Sequence, residues 1–102
     1  MAKKQSVQRL ALAGEFSIFT VAAIRDQVLA ALGGADEVEV DLAQVTELDS
    51  AGVQLMVAAK LEAIALEKRL NFTGHSSAVL DTLDLTDLSA YFGDPVLLHS
   101  RA

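Results

Sequence analysis

Apolar and polar residues recur along the chain with two different periods. The stretch EVEVDL at residues 37–42 alternates between the two classes, as expected for a strand with one buried face. Residues 51–68 instead place apolar side chains three and four positions apart, which is the spacing of a helix face. The whole pattern predicts, in order, strands 7–13 and 16–19, helix 21–32, strand 37–42, helix 51–68, strand 70–73, a short helix after Ser76 or Ser77, and strand 96–98.

The two longer helices have an inward face that can be named. Thr20 is placed to cap the first helix, and Gly33 and Gly34 end it. The predicted inward residues are Val21, Ile24, Val28, Ala31 and Leu32 in the first helix, and Val53, Met56, Val57, Leu61, Ile64 and Ala65 in the second. The second helix is apolar over more than one stripe, so it is either well covered or offers a surface to a partner.

Two stretches have no clear period. Residues 43–48 are interpreted as a bulge or loop, and residues 84–94 as irregular or short helical turns. The element order is then β-β-α-β-α-β-α-β, which predicts one α/β domain over residues 1–102. A central mixed β-sheet packs against the helices. Ligands of such folds meet the carboxyl ends of strands and the starts of helices, and Ser50 lies at such a junction.

Composition narrows the function. The chain has 102 residues, 52% of them hydrophobic, which suits one folded domain rather than a disordered chain. A net charge of −6 argues against nucleic-acid binding, because Lys and Arg supply most affinity for phosphate backbones. With no cysteine, disulfides and thiol nucleophiles are excluded. No apolar run suits a secretory signal or a membrane span, so we expect a cytoplasmic protein without membrane insertion.

Catalytic signatures are lacking. A nucleophilic serine needs a neighbouring base, and neither His75 nor His99 is placed beside Ser50 by sequence alone. The nucleophile elbow G-x-S-x-G fails because Leu48 occupies the first glycine position. Metal-ligand spacings and phosphate-cradling glycine loops are missing, and a response-regulator receiver is disfavoured because no lysine follows Lys68. We therefore expect no enzyme activity, no cofactor and no metal.

The segment Asp49-Ser50-Ala51-Gly52 has two interpretations. In the first, Ser50 serves only as a helix cap, since Ser and Asp are both preferred at that position. Alternatively its hydroxyl is exposed for modification: Ala51 and Gly52 leave it sterically open, and a helix N-terminus accommodates a phosphate. Nearby acids would oppose the added charge, so phosphorylation would change the local potential while disturbing the fold little.

The same residues resemble a known family. VDLAQVTELDSAGVQLMVAAKLEA, at residues 40–63, is similar to the signature of STAS domains of the anti-sigma factor antagonist type. GEFSIFT, at residues 14–20, resembles the family segment that leads into the first helix, and YFGDPV, at residues 91–96, resembles its end region. The resemblance covers nearly the whole chain, and the Asp-Ser-Ala-Gly segment is its most specific part.

The resemblance implies a partner-switching mechanism. An unphosphorylated domain binds a kinase-type anti-sigma factor of the histidine-kinase-like ATPase fold. That kinase phosphorylates Ser50 and ends the binding, and a PP2C-type phosphatase resets the switch. The residues implied in partner binding are Ser17, Ile18, Phe19, Thr20, Asp49, Ala51, Gly52, Val53 and Gln54.

The chain departs from the family pattern at two positions. Ser17 stands where many members carry Asp, and Ala51 leaves Ser50 as the only acceptor of the motif. An alternative group of STAS domains forms the small subunit of a phospholipid-transport ABC complex, where the hydroxyl mainly makes contacts. A nucleotide-binding module is the third interpretation that the sequence leaves open.

Overall fold

Three strands and three helices alternate along residues 6–85, the part of the chain that this computed structural model describes. The elements are β1 (Val7–Phe16), α1 (Val21–Gly34), β2 (Glu37–Leu48), α2 (Ser50–Ala65), β3 (Arg69–Thr73) and α3 (Ser77–Leu85). The strands lie in the order β1-β2-β3, and both pairings are parallel. The predicted α/β class is confirmed.

The sheet has one apolar and one polar face. In β2, Val38, Val40 and Leu42 are fully buried and belong to the same core cluster as the inward residues of the helices. Their neighbours point to the other face, where Glu39 pairs with Arg9 of β1 at 3.2 Å. Within residues 6–85, the alternation seen in EVEVDL therefore follows from a strand with apolar groups packed on one face and charged groups on the other.

The first strand corrects the predicted order. The predicted strands 7–13 and 16–19 are instead one strand, β1, followed by a turn at residues 17–20, so the described order is β-α-β-α-β-α. Gly14 adopts φ +79° without ending the strand, because the register against β2 shifts on either side of it. Those same shifts keep residues 43–48 within β2 rather than in a loop.

Some predicted elements lie outside the described residues. Strand 96–98 and residues 86–94 of the irregular stretch belong to that part of the chain. The pairings available within residues 6–85 are all parallel, so the mixed character of the predicted sheet is not seen there.

The buried face of α2 differs from its prediction, whereas that of α1 agrees apart from a half-buried Val21. The side chains of Leu61 and Ile64 are 57% and 68% exposed, and Ala65 is exposed as well. The face that packs on the core consists of Gly52, Val53, Leu55, Met56, Ala59 and Ala63. The small residues on this face let the helix approach its neighbours closely. The sequence pattern did not identify this face, because the larger apolar residues lie at other positions of the helix.

Candidate functional site

Asp49 organises the junction between β2 and α2. It occupies the N-cap position of α2, where its Oδ1 accepts a hydrogen bond of 3.0 Å from the Gly52 N–H. Its Oδ2 accepts another of 3.0 Å from the Ile18 N–H, in the turn after β1. One carboxylate therefore caps the helix and also fixes the turn at residues 17–20 against it.

The two N–H groups have an electrostatic effect on Asp49. Hydrogen bonds from Ile18 and then from Gly52 stabilise the charged form and lower the pKa of the Asp49 carboxyl below its usual value. Asp49 is consequently an anion at neutral pH.

The turn at residues 17–20 is held by its own hydroxyl groups. The Thr20 Oγ1 accepts from the Ser17 N–H at 3.0 Å and donates to the Glu15 carbonyl oxygen at 2.9 Å. The Ser17 hydroxyl donates to the Glu15 carboxylate and accepts from the Phe19 N–H at 3.1 Å. Thr20 occupies the N-cap position of α1, as predicted, and its carbonyl oxygen accepts from the Ile24 N–H at 3.1 Å. Its side chain makes no capping hydrogen bond, because the hydroxyl is used within the turn.

Gly52 lies in the first turn of α2, close to the end of β1. A Cβ atom at this position would lie 2.7 Å from the Phe16 carbonyl oxygen and 2.6 Å from the Leu48 Cδ1. Both distances are shorter than real Cβ contacts allow. Glycine is therefore required here by the close approach of the strand backbone rather than by a left-handed conformation.

Ser50 is the first residue of α2, and its side chain is exposed. Within residues 6–85 its hydroxyl has no hydrogen-bond partner, because Asp49 supplies the cap. Asp49 and not Ser50 is therefore the helix cap, so the interpretation of Ser50 as only a structural cap does not apply.

The sequence-predicted contact residues divide into two groups in the structure. Ile18 and Phe19 are 66% and 87% exposed, and Ser50 and Gln54 are exposed beside the same helix start. Ser17, Gly52 and Val53 are buried, and Thr20, Asp49 and Ala51 are half-buried. The structure brings all of them to one end of the sheet, with the second group supporting the first.

A groove of about 550 Å³ opens beside these residues. Four carboxylates line it, from Glu15, Glu47, Asp49 and Asp81, and its remaining lining residues are Ser17, Phe19, Leu48, Ala78 and Thr82. Sequence reasoning missed the α3 wall of this groove. That wall is attached by a long-range contact, in which the Thr82 hydroxyl donates to the Leu48 carbonyl oxygen at 3.0 Å.

Residues 6–85 lack both a cluster of metal ligands and a helix suited to cross a membrane. They contain no cluster of three or more His, Cys, Asp or Glu side chains placed to hold a metal ion. None of the helices in this range combines the length and apolar character that a membrane crossing requires.

Two solved structures have a fold similar to that of this chain. The anti-sigma factor antagonist SpoIIAA, in its unphosphorylated form, superimposes with a TM-score of 0.70 at 19% identity, over 89% of this chain and 81% of that chain. A sulfate transporter family protein from Wolinella succinogenes superimposes with a TM-score of 0.66 at 14% identity, over 85% of this chain and 71% of that chain. At these identities the likeness shows the fold alone.

Sequence comparison identifies the family. No curated protein matches the chain. A family model described as "Mlab, STAS domain" matches residues 1–98, which is nearly the whole sequence. The protein therefore belongs to the STAS domain family.

Proposed function

We propose that this STAS domain is a phosphoswitch of the anti-sigma factor antagonist type, with Ser50 as the phosphate acceptor. The observation that carries the proposal is the separation of cap and hydroxyl at the start of α2. Asp49 caps the helix, so the exposed Ser50 hydroxyl has no structural bond within residues 6–85 to lose when a kinase modifies it.

The partner would contact the exposed residues around this hydroxyl. Phe19 and Ile18 project from a turn whose backbone Asp49 holds against α2, which presents an aromatic and an aliphatic side chain to a partner. Gln54 lies one helical turn beyond Ser50 and is also exposed. Preorganised aromatic residues are favoured at interfaces because little conformational entropy is lost when they bind.

Phosphorylation would make this surface bulkier and more negative. A phosphoserine carries about −1.5 to −2 charges at neutral pH. The positive end of the α2 dipole accommodates that charge, while Asp49 and the other groove carboxylates keep the surrounding potential negative. The fold is then retained, but a partner that docked on a small neutral hydroxyl meets a bulky dianion.

The proposed partners follow from the STAS family resemblance. They are a kinase-type anti-sigma factor of the histidine-kinase-like ATPase fold, which binds and phosphorylates the domain, and a PP2C-type phosphatase, which resets it. The domain supplies the hydroxyl and the docking surface and catalyses nothing itself. A net charge of −6 disfavours a nucleic-acid partner, and the dependence on ATP places the cycle in the cytoplasm.

The test begins with the protein isolated from its native cells together with its bound partner. Mass spectrometry maps phosphate in free and partner-bound fractions, and we expect it on Ser50 only in the free fraction. The purified partner is then titrated with the wild type and with Ser50→Ala and Ser50→Asp. We expect Ser50→Asp to lose at least tenfold in affinity and Ser50→Ala to retain it.

The chain offers a matched control for the added charge. Ser77 is the exposed first residue of α3, as Ser50 is of α2, and the Ser76 hydroxyl accepts from the Val79 N–H at 3.2 Å as a preceding cap. Ser77→Asp therefore places the same charge at an equivalent helix position on a residue that is not among the proposed contacts. Equal partner affinity of Ser50→Asp and the wild type would refute the switch.

A second candidate is a STAS subunit of a phospholipid-transport ABC complex that does not switch. The matching family model is described by the subgroup name Mlab rather than as an antagonist, and a similar fold occurs in a sulfate transporter family protein. Co-purification with an ABC ATPase, with Ser50 unmodified in the presence of ATP, would favour this candidate over the first.

A further inference from the structure

The outer surface of the α1–α2 layer carries a second groove, separate from the Ser50 site. Its volume is about 250 Å³, and it is lined by Arg25, Val28 and Leu29 of α1 and by Leu55, Ala58, Ala59 and Glu62 of α2. The floor is apolar, and the small side chains of Ala58 and Ala59 keep the α2 wall low. Leu29, one of the lining residues, remains 42% exposed, and Leu61, one turn after Ala58 on α2, is 57% exposed.

The two charged residues of this groove have opposite signs and belong to opposite walls. Arg25 comes from α1 and Glu62 from α2, and no ion pair joins them within residues 6–85. The carboxylate that Arg25 does approach is that of Asp26, at 4.0 Å, and both side chains are more than half exposed. An exposed pair at that distance contributes little, so Arg25 remains available to another carboxylate.

We propose that this groove is a two-fold interface between two copies of the chain. A two-fold interface requires a patch that is complementary to itself, so that a residue on one copy meets a different residue on the other copy and the reverse. An apolar groove with a cation on one wall and an anion on the other meets this requirement. Arg25 of each copy pairs with Glu62 of the other.

The apolar residues of the patch fit the same arrangement. Leu29 lines the groove and is 42% exposed, so in the dimer it contacts the groove of the second copy, where the small side chain of Ala58 permits close helix approach. None of these residues belongs to the Ser50 surface. The existence of the dimer therefore does not depend on the proposed phosphoswitch.

Charge exchange between the two walls tests this arrangement. Sedimentation equilibrium of the full chain, from micromolar to millimolar concentrations and at about 0.15 M salt, measures the dimer dissociation constant. At this salt, charges further apart than about 8 Å are largely screened. We expect a concentration-dependent dimer for the wild type, and at least tenfold weaker dimerisation for Arg25→Glu and for Glu62→Arg, because each variant opposes like charges twice.

An equimolar mixture of the two single variants is the decisive sample. In the mixed dimer both cross-copy pairs again join opposite charges, and the two changes in net charge cancel. We expect this mixture to dimerise like the wild type, and also the double variant Arg25→Glu/Glu62→Arg. Urea unfolding of each variant checks that it is folded.

Three results would overturn the proposal. A wild type that is monomeric at every concentration removes the dimer, and if Leu29→Asp then abolishes capture of a different protein, the groove is a site for that protein. A dimer that neither single variant weakens lies on another surface. A mixture that fails to recover dimerisation refutes the pairing of Arg25 with Glu62.

Discussion

Replacement of Gly52 by alanine is the most direct test of how β1 and α2 meet. The added methyl would lie 2.7 Å from the Phe16 carbonyl oxygen, 2.6 Å from the Leu48 Cδ1 and 3.0 Å from the Phe16 Cδ1. A leucine side chain can rotate away, but the carbonyl belongs to the last residue of β1. The clash is relieved only if the strand end or the helix start moves.

The magnitude follows from two opposing effects. Overpacking of a well-packed region costs about 1–3 kcal/mol. Alanine is a better helix former than glycine by up to about 1 kcal/mol, and less of this is gained in the first turn. We therefore expect Gly52→Ala to lower the free energy of unfolding by about 1–2 kcal/mol, and the Tm by about 5–15 °C for a domain of this size.

Urea denaturation followed by circular dichroism measures this change, and Gly33→Ala is the matched control. Gly33 is also helical, but a Cβ there meets nothing within 4 Å, so we expect that variant to be as stable as the wild type or up to about 1 kcal/mol more stable. The two substitutions thus have opposite signs. A Gly52→Ala protein that unfolds at the same urea concentration as the wild type, or a higher one, would show that the close approach is not a constraint.

Three other substitutions test the contacts around the start of α2. Asp49→Asn removes the charge and one of two acceptor oxygens, so we expect a lower urea midpoint than for the wild type at neutral pH. Because folding lowers the pKa of Asp49, the stability that its charged form contributes is complete above about pH 3.9 and is lost as the pH falls through the lower pKa of the folded state. The urea midpoints of the variant and the wild type should therefore converge in strong acid. Thr20→Val deprives the Ser17 N–H and the Glu15 carbonyl of a partner and should cost about 1–3 kcal/mol in urea unfolding, whereas Thr20→Ser should retain most of the stability; equal losses would contradict the role of the hydroxyl. Phe19→Ala should change the unfolding free energy by less than about 0.5 kcal/mol, because Phe19 is 87% exposed, yet weaken binding of the captured partner; unchanged affinity would exclude Phe19 as a contact.

Local periodicity predicted the elements whose burial depends mainly on their own sequence. The alternation of residues 37–42 matched the apolar and polar faces of β2, and the spacing of Ile24, Val28, Ala31 and Leu32 matched the buried face of α1. In α2 the spacing of apolar residues wrongly predicted that Leu61 and Ile64 are buried. The buried face of this helix instead includes the small residues Gly52, Ala59 and Ala63. Hydrophobicity alone ranks a leucine above an alanine and does not register how closely two backbones approach.

Long-range contacts account for what local patterns missed. Gly14 and Glu15 carry a turn signal, but parallel pairing with β2 continues β1 through them to Phe16. One wall of the acidic groove comes from α3, which reaches β2 through Thr82 and Leu48, 34 residues apart in sequence. Neither contact leaves a periodic signal in the residues that make it.

The choice between Asp49 and Ser50 as the helix cap shows most clearly what tertiary structure adds. Both residue types are good caps, so the sequence left their roles open. The position of the Ile18 N–H favours Asp49 as the cap. A carboxylate can accept from the Gly52 N–H with one oxygen and from the Ile18 N–H with the other, whereas a serine hydroxyl has only one oxygen for both hydrogen bonds. Were Ser50 the cap, a phosphate would remove the bond that starts α2 and would alter the fold together with the surface. With Asp49 in that position, the proposed phosphorylation changes the charge of the surface while the helix start and the adjoining turn keep their hydrogen bonds.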